Sequence, residues 1–194
     1  MTRPLAVAIT GGIGAGKSEL LRAFARHGAA TVSSDEIVHE LLRREDVKGE
    51  VVQRLGHGVV APDGSLDRGA IATVVFNDPA ALTRLEELLH PLVSAEYLAW
   101  RRQLAELADP PEVCVTEVPL LYEAGSEEHF DKVVVVTAPA GLRRARSVAA
   151  RREREQRLLD EREKIARADY HYVNDGSLDE LDAFVRSVME DLTE

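Results

Sequence analysis

Gly11-Gly12-Ile13-Gly14-Ala15-Gly16-Lys17-Ser18 decides how the rest of the chain is read. The run fits G-x-x-x-x-G-K-[ST]. It stands between the apolar Leu5-Ala6-Val7-Ala8-Ile9-Thr10 and the helix-like Ser18-Glu19-Leu20-Leu21-Arg22-Ala23-Phe24-Ala25-Arg26. Strand, loop, helix is the setting in which this pattern holds phosphates. Glycines let the backbone bend so that successive N–H groups point inward, and the positive end of the following helix adds to the attraction for an anion. Lys17 is then expected to reach the β- and γ-phosphates, and the Ser18 hydroxyl to ligate Mg²⁺. The alternative, a glycine-rich turn without chemistry, has to explain both the spacing and the flanking elements by chance. The stretch points to an enzyme that uses a nucleoside triphosphate.

Composition bounds what can surround that loop. A chain of 194 residues suffices for one α/β domain with a proper core or for one domain with a small insertion, and a second independent domain is not expected. Hydrophobic content of 45% with 30% charged residues is that of an ordinary soluble globular protein. No apolar run approaches bilayer length. Met1-Thr2-Arg3-Pro4 leads straight into the first strand, so no signal peptide and a cytoplasmic location are expected. The lone Cys114 excludes an intramolecular disulfide and falls in an apolar strand candidate, which suits a buried small hydrophobe. Six histidines lack ligand spacing, so no zinc site is expected. The net charge of −10 argues against a nucleic-acid surface. Against that background, ten of the 24 Lys and Arg residues fall between Arg143 and Arg167, a local excess suited to a phosphate-rich small substrate.

Strands are expected at Leu5 to Thr10, Ala30 to Ser33, Val113 to Val118, Val133 to Thr137 and Tyr170 to Val173. The runs at 113–118 and 133–136 are almost continuously apolar and β-branched, as parallel strands covered on both faces are. Helical stretches separate them. This alternation predicts a doubly wound α/β sheet with ligands at the carboxyl ends of its strands. About eighty residues between the second and third strands are too many for a simple crossover. After the turn signal Asp63-Gly64, three amphipathic helices are read from Leu66, Ile71, Val74 and Val75, from Leu82, Leu85, Leu88 and Leu89, and from Leu92, Val93, Tyr97, Trp100 and Leu104. They form a helical subdomain beside the sheet that Asp109-Pro110-Pro111 ends. Near the C-terminus, Ser177 and Glu180 form a capping box, and Leu178, Leu181, Val185, Val188, Met189 and Leu192 make the apolar stripe of a final packed helix.

Further residues could carry chemistry. Asp35 follows the second strand, where a carboxylate could accept the proton of an attacking hydroxyl, or could simply favour a helix N-terminus alongside the capping-box spacing of Ser33 and Glu36. Arg143, Arg144, Arg146, Arg151, Arg152 and Arg154 follow the fourth strand. One or two on a lid could neutralise a transferring phosphoryl group, or the segment could be a solvated helix laced with pairs such as Glu153–Arg157 and Glu163–Arg167. Glu117 ends the third strand, either near Mg²⁺ or its waters or as a sheet-end carboxylate bonded to a loop. His90-Pro91 sits between two expected helices, as a junction residue or a ligand contact.

Taken together, the segments resemble the dephospho-CoA kinase family across nearly the whole chain. Ile9 to Ser18 is similar to that family's opening, and Asp35-Glu36-Ile37-Val38, Asp63-Gly64-Ser65-Leu66-Asp67-Arg68, Val75-Phe76, Leu89-His90-Pro91-Leu92-Val93, Val118-Pro119-Leu120-Leu121-Tyr122-Glu123, Ala168-Asp169 and Asn174-Asp175-Gly176-Ser177 follow in order. The resemblance implies phosphorylation of the ribose 3′-hydroxyl of dephospho-CoA by ATP, giving coenzyme A and ADP, with Mg²⁺. It also implies a three-layer P-loop kinase fold: a single domain over residues 1–194 with a core at about 1–36, 111–142 and 168–194. Within it lie a helical CoA-binding insertion at about 37–110 and a lid at about 143–167. ATP contacts fall on Gly11, Gly12, Ile13, Gly14, Ala15, Gly16, Lys17, Ser18 and Asn174, and acceptor contacts on Asp35, Arg68, His90 and Pro119. Catalytic roles fall on Lys17, on Asp35 as the base, and on Arg146 and Arg151 in the lid; metal contacts fall on Ser18 and, through water, Glu117. The partners are ATP and dephospho-CoA, without nucleic acid or membrane, in a monomer or small homo-oligomer. Ser33-Ser34-Asp35 stands where the family usually has Asp-Ala-Asp, Glu117 replaces a common aspartate, and the lid lacks a clean match to a family glutamine.

Overall fold

A computed structural model describes residues 3–145 and 159–194. The chain divides into two compact units, residues 1–34 with 99–194, and residues 35–98.

The first unit is built on five parallel strands: β1 (Leu5–Gly11), β2 (Ala30–Ser33), β3 (Val113–Glu117), β4 (Lys132–Thr137) and β5 (Tyr170–Val173), in the order β2-β3-β1-β4-β5. The apolar runs read from the sequence therefore lie within a residue of the observed strands. Burial on both faces explains their composition, because β1, β3 and β4 pair as neighbours and expose almost none of their side chains. On one face Val7, Ile9, Val113, Val115, Val134 and Val136 pack with Leu20 and Phe24 of α1 (Lys17–Arg26) and with Leu181, Val185 and Val188 of the C-terminal helix Leu178–Thr193. On the other, Ala8, Val133 and Val135 pack with Val118, Leu121 and Tyr122, and Leu159, Ile165 and Ala168 close over them. Three layers result. Cys114 is fully buried, and burial pushes its thiol above the ordinary range.

The C-terminal helix carries the expected capping box, Ser177 accepting from the Glu180 amide while the Glu180 carboxylate accepts from the Ser177 amide. Leu178 departs from the expected stripe and is 63% exposed. It is the first residue of the helix, before the stripe has turned toward the sheet.

The second unit is helical. It holds most of α2 (Ser34–Leu41), then α3 (Glu45–Leu55), α4 (Arg68–Asn77) and the larger part of α5 (Pro79–Ala105). α4 starts on Asp67, whose carboxylate accepts from the Gly69 and Ala70 amides. The two helices expected on either side of His90-Pro91 are one helix, with Pro91 inside it. A proline there removes one intrahelical hydrogen bond and crowds the preceding turn. Ala81, Leu85, Leu89, Val93 and Tyr97 nonetheless recur at i,i+4 and are all buried, so packing along one face holds the turns before and after Pro91 in phase. His90-Pro91 is thus mid-helix and not a junction. After β4 come α6 (Ala140–Ala145) and, past the gap in the described residues, α7 (Glu161–Ala166), which makes the C-terminal helix α8. Among the described residues no helix is long and apolar enough to cross a membrane.

Candidate active site

β1 is the middle strand; the chain leaves β1 toward β2 on one side and leaves its neighbour β3 toward β4 on the other, which opens a crevice at the carboxyl ends of β1 and β3. The glycine loop fills that end of β1. Gly11 has φ +147°, and a Cβ there would overlap the carbonyl oxygen of Val136 in β4, so only glycine lets the chain leave the strand at this point. Gly14 and Gly16 turn through φ +75° and +101°, and Gly16 starts α1 without any side-chain cap. A helix start with no side-chain cap is a place where backbone amides can bind phosphate. The Lys17 ammonium lies over the loop, bonded to the carbonyls of Gly11 and Gly12 at 3.1 Å each.

Register brings in the neighbouring strand. Ile9 pairs with Glu117, and the Ser18 hydroxyl donates to Glu117 Oε1 at 3.5 Å. Glu117 is 4% exposed, a buried carboxylate at the strand end beside the hydroxyl of the loop's last residue. The Thr10 hydroxyl donates to the carbonyl of Pro119 at 3.3 Å, tying the loop after β3 to β1. Asn174, expected among the ATP contacts, is bound to the loop itself: its side-chain amide donates to the Ala15 carbonyl at 2.8 Å, and its own N–H donates to the Thr137 carbonyl.

Arg146 and Arg151 lie outside the described residues, as does the Glu153–Arg157 pair; Glu163 and Arg167 do pair, at 3.9 Å. Among the described residues it is Arg143 that meets the loop. Its Nη1 lies 2.8 Å from where a Cβ on Gly12 would be, and its carbonyl oxygen 3.0 Å from a Cβ on Gly14. Glu161 of α7 faces it at 3.6 Å, and the buried Arg143 Nε has no hydrogen-bond partner. The sequence shows Arg143 as one of six arginines in the segment; only the packing of α6 on the loop singles it out. Behind α7, the Lys164 ammonium sits 2.7 Å from Glu123 Oε1, though not at a hydrogen-bonding angle, and Glu123 also accepts from the Leu159 amide. Arg167 stacks over the Tyr122 ring, whose phenol burial pushes above its ordinary range.

In the second unit, Asp35 is exposed on the first turn of α2, the residue after Ser34. Arg68 is exposed and donates to His39 Nδ1 at 3.0 Å, and His90 is half-buried in α5. Among the described residues no group of three or more His, Cys, Asp or Glu is placed to hold a metal ion.

These features together place the glycine loop, the Lys17 ammonium and the Arg143 guanidinium at the carboxyl end of β1. The family model described as dephospho-CoA kinase matches residues 5–180. A curated dephospho-CoA kinase of Streptomyces avermitilis is 40% identical over 97% of this chain and 94% of its own. Among solved structures, the Thermus thermophilus protein TT1252 superposes with a TM-score of 0.79 at 31% identity over the whole of both chains. A dephospho-CoA kinase from Campylobacter jejuni does so at 0.71 and 23% identity over 96% of each, a likeness of fold.

Proposed function

Because the chain belongs to the dephospho-CoA kinase family, we propose that the Gly11–Ser18 loop, Asp35 and Arg143 divide an in-line γ-phosphoryl transfer among them. The chain is a kinase that phosphorylates the ribose 3′-hydroxyl of dephospho-CoA with ATP, giving coenzyme A and ADP in the last step of coenzyme A biosynthesis. The observation that carries the assignment of roles is the loop: an uncapped helix start below the Lys17 ammonium, with Arg143 against Gly12.

Phosphoryl transfer asks for placement and charge compensation more than for covalent chemistry. The loop amides hold the phosphates. Lys17 exchanges its two carbonyl partners for β- and γ-phosphate oxygens, which bind an ammonium more strongly because they are charged. Asp35 orients the ribose hydroxyl and takes its proton. Arg143, with a free Nε–H and with Glu161 holding its other end, meets the charge that develops on the transferring group. Arg146 and Arg151 remain candidates for the same work. Asn174 acts on ATP through the loop backbone; Arg68, His90 and Pro119 belong to acceptor binding.

Ser18 and Glu117 fit a magnesium ion that arrives with the nucleotide, since they offer hard oxygen donors 3.5 Å apart and Mg²⁺ keeps waters and phosphates as its other ligands. Bound there, the ion would neutralise charge on the phosphate oxygens. The overall charge of −10 favours small-molecule partners over nucleic acid or an anionic membrane, in a cytoplasmic monomer or small homo-oligomer.

The test is ATP with dephospho-CoA and Mg²⁺, following CoA and ADP together. Equal amounts of both are expected, and Lys17→Ala is expected to abolish both. ADP release that ignores the acceptor, or a Lys17→Ala enzyme with ordinary turnover, refutes the assignment.

A further inference from the structure

Glu123 closes the run Pro119-Leu120-Leu121-Tyr122-Glu123 after β3, on the loop whose Pro119 carbonyl accepts from the Thr10 hydroxyl of β1. Its side chain is largely buried, and one oxygen takes two contacts from the start of α7. Glu123 Oε1 accepts from the Leu159 amide at 2.9 Å and lies 2.7 Å from the Lys164 ammonium. A single carboxylate oxygen therefore holds both ends of the segment 159–164. Asp160 caps that segment from within, accepting from the Arg162 amide.

Between the two anchored residues stands Glu161. Three residues separate it from Lys164, so the two are neighbours on the helix surface, and its carboxylate lies 3.6 Å from Arg143 Nη1, the group that packs against Gly12. A helix of six residues is not kept in place by its own hydrogen bonds. What anchors its ends decides where it sits, and so where Glu161 holds Arg143. Leu159 and Ile165 pack on the sheet, but apolar contacts tolerate small slides and rotations. The ion pair does little for stability in return: the buried ammonium meets Glu123 off the hydrogen-bonding angle and has no other hydrogen-bond partner. Desolvating two charges is repaid only by good geometry and satisfied donors, and an apolar pair of similar volume does as well or better. A fixed point for the turn is what an apolar pair does not supply.

We propose that Glu123 is a positioning residue for phosphoryl transfer: it fixes the segment 159–164 so that Glu161 aims the Arg143 guanidinium at the glycine loop. The inference rests on the role given to Arg143 and adds to it a residue that acts through two others. It also explains why a buried charge pair of poor geometry is kept at this place.

Two measurements test it. In steady-state CoA formation, Glu161→Gln and the apolar pair Lys164→Met/Glu123→Leu are each expected to lower kcat about tenfold, the loss of one charge-assisted contact, with both KM values within about twofold of the parent. The apolar pair is expected to do so at a urea midpoint close to the parent's, which separates placement from stability. In an Arg143→Met background neither change is expected to lower kcat further, because each acts through that guanidinium. A parental kcat in either variant, or decrements that multiply in the Arg143→Met background, overturns the proposal. Where the apolar pair does not fold, Glu123→Asp decides: it keeps the charge opposite Lys164, withdraws it by one methylene, and is expected to show the same fall in kcat. In NMR of the full chain, the buried Nε–H of Arg143 reports its placement directly. Its resonance is expected to move and to exchange faster with water in Glu123→Asp, and an unmoved resonance overturns the proposal. Should Arg143→Met turn over like the parent, the catalytic reading of Arg143 fails, and the resonance still reports separately on whether Glu123 places it.

Discussion

Asn174→Ala separates a residue that reads the base of ATP from one that holds the loop. The side chain is 8% exposed and its amide donates at 2.8 Å to the carbonyl of Ala15, a residue with no exposure at all. Truncation strands that carbonyl without a donor and without water, at a cost of about 1–3 kcal/mol. For a chain of this size that lowers Tm by roughly 2–12 °C, well short of unfolding it at room temperature. Because Ala15 lies inside the phosphate cradle, the same loss should loosen the loop and raise KM for ATP about tenfold, with KM for dephospho-CoA little changed. Asn174→Asp should be worse on both counts, since a carboxylate then faces the carbonyl. Thermal melts and steady-state kinetics with ATP and GTP check this. An Asn174→Ala protein that melts like the parent but has lost its preference for ATP over GTP would show that the side chain reads the base, and the loop-holding argument would be wrong.

Asp35→Asn should lower kcat by about 10²–10⁴ with KM for ATP nearly unchanged, as removal of a general base does, and a kcat within threefold of the parent in the CoA assay would dismiss that role. Gly11→Ala and Gly12→Ala should part company. At Gly11 a Cβ meets the Val136 backbone in a left-handed conformation, and about 2–6 kcal/mol of stability should go. At Gly12 it meets the movable tip of Arg143, so urea midpoints should stay put while kcat falls as it does in Arg143→Met. The Lys164–Glu123 pair, with side chains 3% and 16% exposed, should lose about 3–5 kcal/mol on Lys164→Met and recover most of it in Lys164→Met/Glu123→Leu; a single variant as stable as the parent contradicts this. Burial, then the hydrogen bond to Asp191, raises the Tyr170 phenol to about 12. The unfolded chain therefore loses this proton first: its contribution is complete below pH ~10 and drains away as pH rises toward 12. Tyr170→Phe should flatten the fall in urea midpoint between pH 9.5 and 11.5, and equal slopes in the two proteins would count against it.

The strands were legible because each buried strand is a short β-branched run, and nothing else in the chain looks like Val113 to Val118 or Val133 to Val136. The cradle was legible because its parts are contiguous in sequence. α3 left little trace, since only Val47 and Val51 are buried along it and Gly49 interrupts the pattern. Pro91 hid the continuity of α5, whose i,i+4 stripe outweighs the missing amide hydrogen bond. Asn174 could be placed near the nucleotide by its segment, but its partner lies 159 residues away, a distance no local pattern spans. Choosing Arg143 among six arginines likewise requires knowing which one faces Gly12.

The division between the two compact units falls between Ser34 and Asp35, so the proposed proton acceptor travels with the helical segment 35–98 and not with the nucleotide cradle. On the proposed roles, the acceptor contacts of Arg68 and His90 and the activation of the acceptor by Asp35 are therefore heritable as one cassette. Exchanging those sixty-odd residues between related kinases, by one crossover at each end, would on the proposed roles transplant Asp35 together with the acceptor contacts of the segment and leave the donor machinery untouched. New acceptors could arise by recombination without an intermediate that binds an alcohol it cannot deprotonate.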